Sequence, residues 1–195
     1  MPSKSELRDL ALRRRDATET AYRRAASTAI AERIAPLIAA AAPRSIAGYI
    51  AMRSEADPAP ILAAAHGGGI AIGLPAILPG AHLAFRRYQP GAPLAAGGFG
   101  TLVPAADDVL VDPELVIVPV VGFDRTGTRL GYGKGHYDRT VAALRARGLH
   151  PPLVGIAYAA QEVDTIPAEP HDARLDLIVT ENEILDFRKG GADRP

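Results

Sequence analysis

Residues 115–139, LVIVPVVGFDRTGTRLGYGKGHYDR, concentrate the residue types suited to handling phosphate. Gly131, Gly133 and Gly135 alternate, so every second residue can adopt positive φ and present its amide with no Cβ in the way. Amides arranged in that manner converge on an anion. Lys134 sets a mobile ammonium inside the loop. From Tyr137 the chain turns helical, YDRTVAALRARG, which places the loop at a helix N-terminus, where free amides and the helix dipole favour phosphate. In the first turn, the Asp138 carboxylate is placed to hold magnesium and the Arg139 guanidinium to grip a phosphate oxygen. The loop is neither of the two common nucleotide fingerprints. Lys134-Gly135 lacks the Ser or Thr of a P-loop, and G-x-G-x-G is not the Rossmann spacing. Alternating glycines alone also describe a plain turn with solvated charges; strand, glycines, lysine, Tyr-Asp-Arg and helix in succession favour a phosphate site.

These side chains depend on the elements that carry them. Residues 115–121 are apolar, β-branched and bounded by Pro113 and Gly122, which predicts a central parallel strand buried on both faces. Ser3 with Glu6 forms a capping-box pattern, and Leu7, Leu10 and Ala11 predict a helix to about residue 15. Lys4 and Arg8 share one face of it, by themselves an exposed basic pair, and Arg13, Arg14 and Arg15 read as a solvated face. A second helix follows Asp16 and Glu19 and keeps its period to Ile38, with Pro36 placed to kink or break it. Residues 45–52 read as the first buried strand, 59–66 as a helix and 70–78 as the next strand. Glu55 stands just past a strand's C-terminal end, where open α/β sheets place ligands, although alone it reads as a surface carboxylate. Residues 82–89 alternate like a half-exposed strand, and 90–108 read as a long Gly-, Pro- and Ala-rich loop. Residues 153–158 and 175–180 are the last predicted strands. Asp172, just before the second, reads alone as a turn residue, and a tail from about residue 186 is expected to fray. Strands alternating with helices predict one domain over residues 1–195, an α/β three-layer sandwich with a mainly parallel sheet.

Composition narrows the function. With 195 residues, 22 basic and 22 acidic, the chain carries no net charge, which argues against a nucleic-acid binder. No cysteine is present, which excludes disulfides and thiolate chemistry. No apolar run is long enough to cross a bilayer, and the charged N-terminus has no signal-peptide core. A cytoplasmic, monomeric protein acting on small molecules, with no membrane partner, is expected.

In residue order and spacing, PVVGFDRTGTRLGYGKGHYDR resembles the signature of 5-formyltetrahydrofolate cyclo-ligases, also called 5,10-methenyltetrahydrofolate synthetases. The likeness extends from Lys4 and Arg8 to the Pro-x-Asp and Thr-Glu near the C-terminus. It implies a fold similar to sugar-phosphate isomerases and CoA transferases. The implied reaction is the ATP-driven, magnesium-dependent conversion of 5-formyltetrahydrofolate to 5,10-methenyltetrahydrofolate through an iminium phosphate, with ADP and phosphate released. On this resemblance Lys134 and Arg139 act on the transferring phosphoryl group. ATP is held by Lys4, Arg8, Arg129, Gly131, Gly133 and Lys134, together with Gly135, His136 and Tyr137. Folate is bordered by Ile50, Glu55 and the run Tyr132, Gly133, Lys134, Gly135 and His136. Asp138 and Asp172 become partners on magnesium. Phe99 either flanks the flat pterin ring or pins its loop to the core. The chain departs from the family pattern at Val103-Pro104, where many members carry Glu-Pro, and at His136, where many carry a second Tyr. The first departure motivates a rival reading, an ATP- and folate-binding protein without turnover. A relative acting on sugar phosphates or acyl-CoA is the other rival.

Overall fold

The computed structural model describes residues 2–78, 82–97, 102–105 and 109–188. Three helices precede or interrupt the first strands: α1 (Lys4–Asp16), α2 (Thr20–Ala41) and α3 (Ala59–Gly67), with β1 (Ser45–Ala47) between the last two. Strands β2 (Ala71–Ile77), β3 (Leu83–Tyr88), β4 (Leu94–Ala96), β5 (Leu102–Pro104), β6 (Leu115–Pro119), β7 (Gly122–Phe123) and β8 (Arg129–Leu130) follow. After α4 (His136–Ala146) come β9 (Leu153–Ile156), β10 (Leu177–Val179) and β11 (Ile184–Asp186). Seven strands form one sheet in the order β11-β10-β9-β6-β1-β2-β3. The five inner strands run parallel, and the two edge strands are antiparallel to their neighbours.

Alternation along each inner strand builds two cores at once. Ile46, Leu115, Ile117, Val154, Ile156, Leu177 and Val179 face α2 and α3, packing on Ile30, Ile34, Ile61 and Leu62. The intervening Ala47, Val116, Val118, Leu153 and Ile178 face α4, where Val141 and Leu144 cover them. The three-layer α/β arrangement with a mainly parallel sheet therefore follows from apolar strands that have no solvent face. Each fully buried Ile or Leu contributes about 1.5–3 kcal/mol relative to its exposed state. A third cluster seats Leu7 and Ala11 of α1 on Val121, Leu130, Val163 and Ile166. That contact lies just beyond the C-terminal end of β6, so α1 crosses the edge of the sheet where ligands bind in open α/β folds.

Several expectations needed correction. Helix α2 runs through Pro36 to Ala41 without a break. Residues 94–96 and 102–104 pair as an antiparallel hairpin inside the stretch read as loop. Within the glycine-rich signature, β7 and β8 form a second small hairpin. Residues 184–186, at the start of the expected tail, pair with β10 as an edge strand, and Phe187 packs against the α4 side of the core. Arg15 is not on a solvated face: it is 1% exposed.

Candidate active site

The signature segment is aimed by a buried carboxylate. Asp124, 0% exposed, accepts hydrogen bonds from the amides of Thr126 (2.8 Å) and Thr128 (3.2 Å) through Oδ1 and from the Ile166 amide (2.9 Å) through Oδ2. This fixes the β7–β8 turn, so residues 131–135 return to the sheet edge beside α1. Gly133 (φ +82°) and Gly135 (φ +63°) take the left-handed conformation that favours glycine, whereas Gly131 does not, so the expected alternation is realised at two of its three positions. Gly135 caps α4. The amides of His136, Tyr137 and Asp138 precede the first intrahelical bond, Arg139 N–H to Gly135 O at 3.1 Å.

A cleft of about 500 Å³ opens at this helix start, lined by Gly133, Lys134, Gly135, Asp138 and Arg139 on one side and Pro170, His171 and Asp172 on the other. Arg139 donates to the Lys134 carbonyl (2.5 Å) and is thereby folded along the loop. Helix α1 lies against both sides of this lining, touching Asp172 on one and Gly131 and Gly133 on the other. Its Ser3–Glu6 capping box holds the first turn, where Lys4 Nζ meets Asp172 Oδ2 (2.7 Å) and Glu169 Oε1 (3.1 Å). One turn on, Arg8 Nε donates to the Gly131 carbonyl (2.7 Å), and its guanidinium lies beside Gly133. Burial pushes the Asp172 carboxyl up, but the Lys4 ammonium and the Glu169 amide more than offset this and hold it below the ordinary carboxylate value.

Arg129 stands behind the cleft. Its side chain, 6% exposed, donates to Asp138 Oδ1 (2.7 Å) and to the Ala173 carbonyl. The Ala173 amide donates to the same Asp138 oxygen (3.0 Å). Tyr137 turns its hydroxyl inward, buried and without a hydrogen-bond partner among the described residues. Burial first, then the charge of Glu55, pushes that phenol well above its ordinary value.

Asp138 and Asp172 suit a magnesium ion brought by a nucleotide. One oxygen of each is held by protein donors, which orients the carboxylate. The other, Asp138 Oδ2 or Asp172 Oδ1, accepts no hydrogen bond among the described residues, and His171 Nε2 stands 4.0 Å from Asp172 Oδ1. Among the described residues no group of three or more acidic or histidine ligands occurs, so a self-contained metal cage is absent. Two carboxylates completed by phosphate oxygens and water are the usual magnesium set in ATP-dependent enzymes.

Of the residues expected to border folate, Gly133, Lys134 and Gly135 line the first cleft, whereas Glu55 and Tyr132 form a second group. Glu55 is buried, 7% exposed, and not on the surface. Its Oε1 accepts from the Tyr132 hydroxyl (2.8 Å), its Oε2 from the Met52 amide (2.8 Å), and its carbonyl from Tyr158 (3.1 Å). Ile50 packs against the α2–α3 core. Glu55 and Tyr158 line a separate cleft of about 340 Å³ with Arg23, Arg24 and Arg53. Tyr132, next in sequence to Gly133, joins the two groups. Phe99 lies outside the described residues. Val103 and Pro104 lie in β5. Sequence reasoning missed Arg15, Ser54, Asp124 and Tyr158. For Arg15 a signal existed: Lys4, Arg8, Ala11 and Arg15 follow i, i+4, i+7, i+11, a single helix stripe.

The sequence model of the 5-formyltetrahydrofolate cyclo-ligase family matches residues 1–181. The chain belongs to this family. Among curated relatives, a 5-formyltetrahydrofolate cyclo-ligase of Mycolicibacterium smegmatis is 29% identical over 193 residues, covering 91% of this chain and 93% of that protein. One of Haemophilus influenzae is 37% identical over 103 residues, 50% of this chain and 54% of that protein, so that match spans about half of each. The NMR structure of Aquifex aeolicus 5,10-methenyltetrahydrofolate synthetase aligns over 98% of this chain and 96% of its own length, with a TM-score of 0.78 and 29% identity. The cyclo-ligase resemblance carried by the signature residues thus extends to the whole fold, both sheet and crossing helix.

Proposed function

We propose that the α4 cleft binds magnesium ATP and drives the cyclisation of 5-formyltetrahydrofolate to 5,10-methenyltetrahydrofolate. The reading rests on one juxtaposition beyond family membership. Lys134, Arg139, Asp138 and Asp172 line a single cleft at a helix N-terminus, with Lys4 and Arg8 beside it. An N-formyl group is an amide, and its oxygen leaves poorly. Attack of that oxygen on the γ-phosphorus breaks the bond to ADP and converts the oxygen to a phosphate ester of an iminium. N10 then attacks the formyl carbon and gives up its proton, and the carbon–oxygen bond breaks to release phosphate. Such transfer needs alignment and charge neutralisation more than covalent help from the protein.

In this scheme Lys134 and Arg139 touch the transferring phosphoryl group, and the first-turn amides of α4 support its oxygens. Lys4 and Arg8 hold the remaining nucleotide phosphates. Asp138 and Asp172 hold magnesium, which supplies neutralisation of phosphate charge. Arg129 orients Asp138 from behind and makes no nucleotide contact in this scheme, and Tyr137 contributes its amide. Glu55, Tyr132 and Ile50 take the folate side, and His136 fills the place of the family's second Tyr with a smaller hydrogen-bonding ring. The protein acts as a single-domain monomer in the cytoplasm, without nucleic-acid or membrane partners; among the described residues no helix is long and apolar enough to cross a membrane.

The decisive assay mixes purified protein, 5-formyltetrahydrofolate and magnesium ATP and follows the absorbance of the conjugated methenyl product. Product that requires ATP supports the reading. A folded protein that binds both ligands and forms no product would instead establish the binding-only alternative.

A further inference from the structure

Helix α1 reaches both halves of the site. Lys4 and Arg8 stand at the phosphate cleft, and Arg15, eleven residues after Lys4, stands about 16 Å further along the same stripe. Arg15 is 1% exposed, the largest fully buried side chain among the described residues. Taking a guanidinium out of water carries a desolvation cost that an aliphatic side chain in the same space avoids. Its partners indicate what that cost supports. Arg15 Nε donates to Ser54 Oγ (3.0 Å), and Ser54 in turn donates to Asp16 at the end of α1. Arg15 Nη1 reaches the Tyr132 hydroxyl oxygen (3.3 Å), and its Cζ lies 6.0 Å from the Tyr132 ring centroid. The Tyr132 hydroxyl donates to Glu55 Oε1 (2.8 Å), and the other oxygen of that carboxylate is held by the Met52 amide. Hydrogen bonds therefore run in one direction from a buried cation through a phenol to a buried carboxylate. Tyr132 as a residue is meanwhile 41% exposed, one of five large hydrophobic residues left open among the described residues. Its hydroxyl is tied from two sides while its ring remains available.

We propose that Arg15 is a positioning residue for the folate half of the site: it locks the Tyr132 hydroxyl against Glu55, so that the exposed Tyr132 ring stands fixed as a flat platform for the substrate's bicyclic ring. This rests on the folate reading above. A phenol anchored only to Glu55 has one hydrogen bond and can swing about it; with Arg15 it has two, one at each lone pair and proton. Because Arg15 rides on the helix that carries Lys4 and Arg8, the platform is also held at a fixed span from the phosphate cleft.

The test compares wild type with Arg15→Met, Arg15→Lys and Tyr132→Phe. It uses steady-state kinetics with each substrate varied and calorimetric titration of 5-formyltetrahydrofolate alone. For Arg15→Met the expected result is a rise of about tenfold or more in KM and Kd for the folate, with KM for ATP within about threefold of wild type. Arg15→Lys should recover part of the loss, since an ammonium can bond Ser54 or Tyr132 but not span both. The double variant Arg15→Met/Tyr132→Phe should bind folate no worse than the weaker single variant, the mark of two residues acting through one contact. Equal rises in both KM values, or a lower melting temperature with folate affinity unchanged, would overturn the proposal. Should Arg15→Met not fold, Ser54→Ala removes the guanidinium's anchor while keeping the charge and is read by the same criteria. A wild type that binds the folate without turning it over would defeat the cyclisation reading yet leave the Kd comparison intact. A wild type with no folate affinity would overturn both.

Discussion

Asp138 and Asp172 are equivalent in the proposed chemistry and unequal in the fold, which makes the pair Asp138→Asn and Asp172→Asn informative. Asp138 is the anion for Arg129, whose side chain is 6% exposed, with an ion-pair distance of 2.7 Å. The asparagine substitution removes the charge while leaving an oxygen to accept from the Ala173 amide. Stranding a buried cation costs about 3–5 kcal/mol in fully enclosed pairs, and the 22% exposure of Asp138 moves the expectation to about 2–3 kcal/mol. Asp172 is paired with Lys4 at 2.7 Å, but Lys4 is 24% exposed and keeps Glu169 at 3.1 Å. Its substitution should cost about 0.5–1 kcal/mol, as for solvated pairs. At about 2–4 °C per kcal/mol for a chain of this length, thermal unfolding followed by circular dichroism should fall by roughly 5–10 °C for Asp138→Asn and by roughly 1–3 °C for Asp172→Asn. Turnover at saturating magnesium ATP should fall roughly 100-fold in both. Equal losses of stability would refute the ion-pair reasoning. An active Asp172→Asn enzyme would refute a shared metal.

Three further outcomes are expected. Lys134→Ala should lower kcat by about 10²–10³, the scale for deleting one donor to developing charge, with the melting temperature unchanged, because Lys134 is an exposed cleft residue; wild-type turnover in the folded variant would remove Lys134 from the phosphoryl contact. Gly135→Ala should cost about 1–2 kcal/mol of stability from its positive φ, and the new methyl, 3.0 Å from Arg139 Nη1, should displace that guanidinium and weaken ATP more than folate; unchanged KM for ATP would count against Arg139 as a phosphate contact. In the capping box, hydrogen bonds from the Ser3 amide and then its hydroxyl hold the Glu6 carboxyl below its ordinary value of 4.5. Its contribution to α1 is therefore present above that pH and lost as pH falls through the folded value. Denaturant midpoints of wild type and Glu6→Gln should differ at neutral pH and converge once the pH has fallen through the lowered folded value, and a gap that persists in strong acid would contradict the cap.

What the sequence could disclose follows from how local each signal is. The α1 capping box, the existence of the apolar strands and the start of α4 are decided within a few residues and appear in the structure, but the strands are shorter than their apolar runs: β1 spans Ser45–Ala47 of the expected 45–52, and β10 spans Leu177–Val179 of 175–180. The β7–β8 hairpin was hidden because two-residue strands have no periodicity, and its turn is held by Asp124 contacts that include Ile166, 42 residues away. Arg15 and Glu55 were misread as solvent-facing for the same reason. Arg15 is buried by partners 39 and 117 residues distant, and Glu55 by Tyr132, 77 residues away. Charged side chains default to the surface in any local reading, and only tertiary partners overturn that default. The candidate carboxylates and lysines could be named from the family resemblance, but which cation sits on which carboxylate could not.

That pairing bears on how the proposed cleft handles charge. Lys4 sits on Asp172 and Arg129 on Asp138, so each acidic candidate for magnesium already faces a cation supplied by the chain. The two cations differ in freedom. Arg129 is enclosed and bonded on two sides, which keeps it on Asp138 whatever enters the cleft. Lys4 is a flexible, partly exposed side chain at a helix start, able to turn from Asp172 to a phosphate oxygen. Arrival of magnesium ATP would then be an exchange: the triphosphate takes the ammonium, and the metal takes the carboxylate that the ammonium leaves. Either ion arriving alone meets an uncompensated charge, the metal competing with Lys4 and the bare triphosphate approaching Asp172. An arrangement of this kind favours the neutralised complex over its parts, and it needs the Lys4 end of α1 to lie beside the proposed phosphate cleft, where the packing of Leu7 and Ala11 holds it.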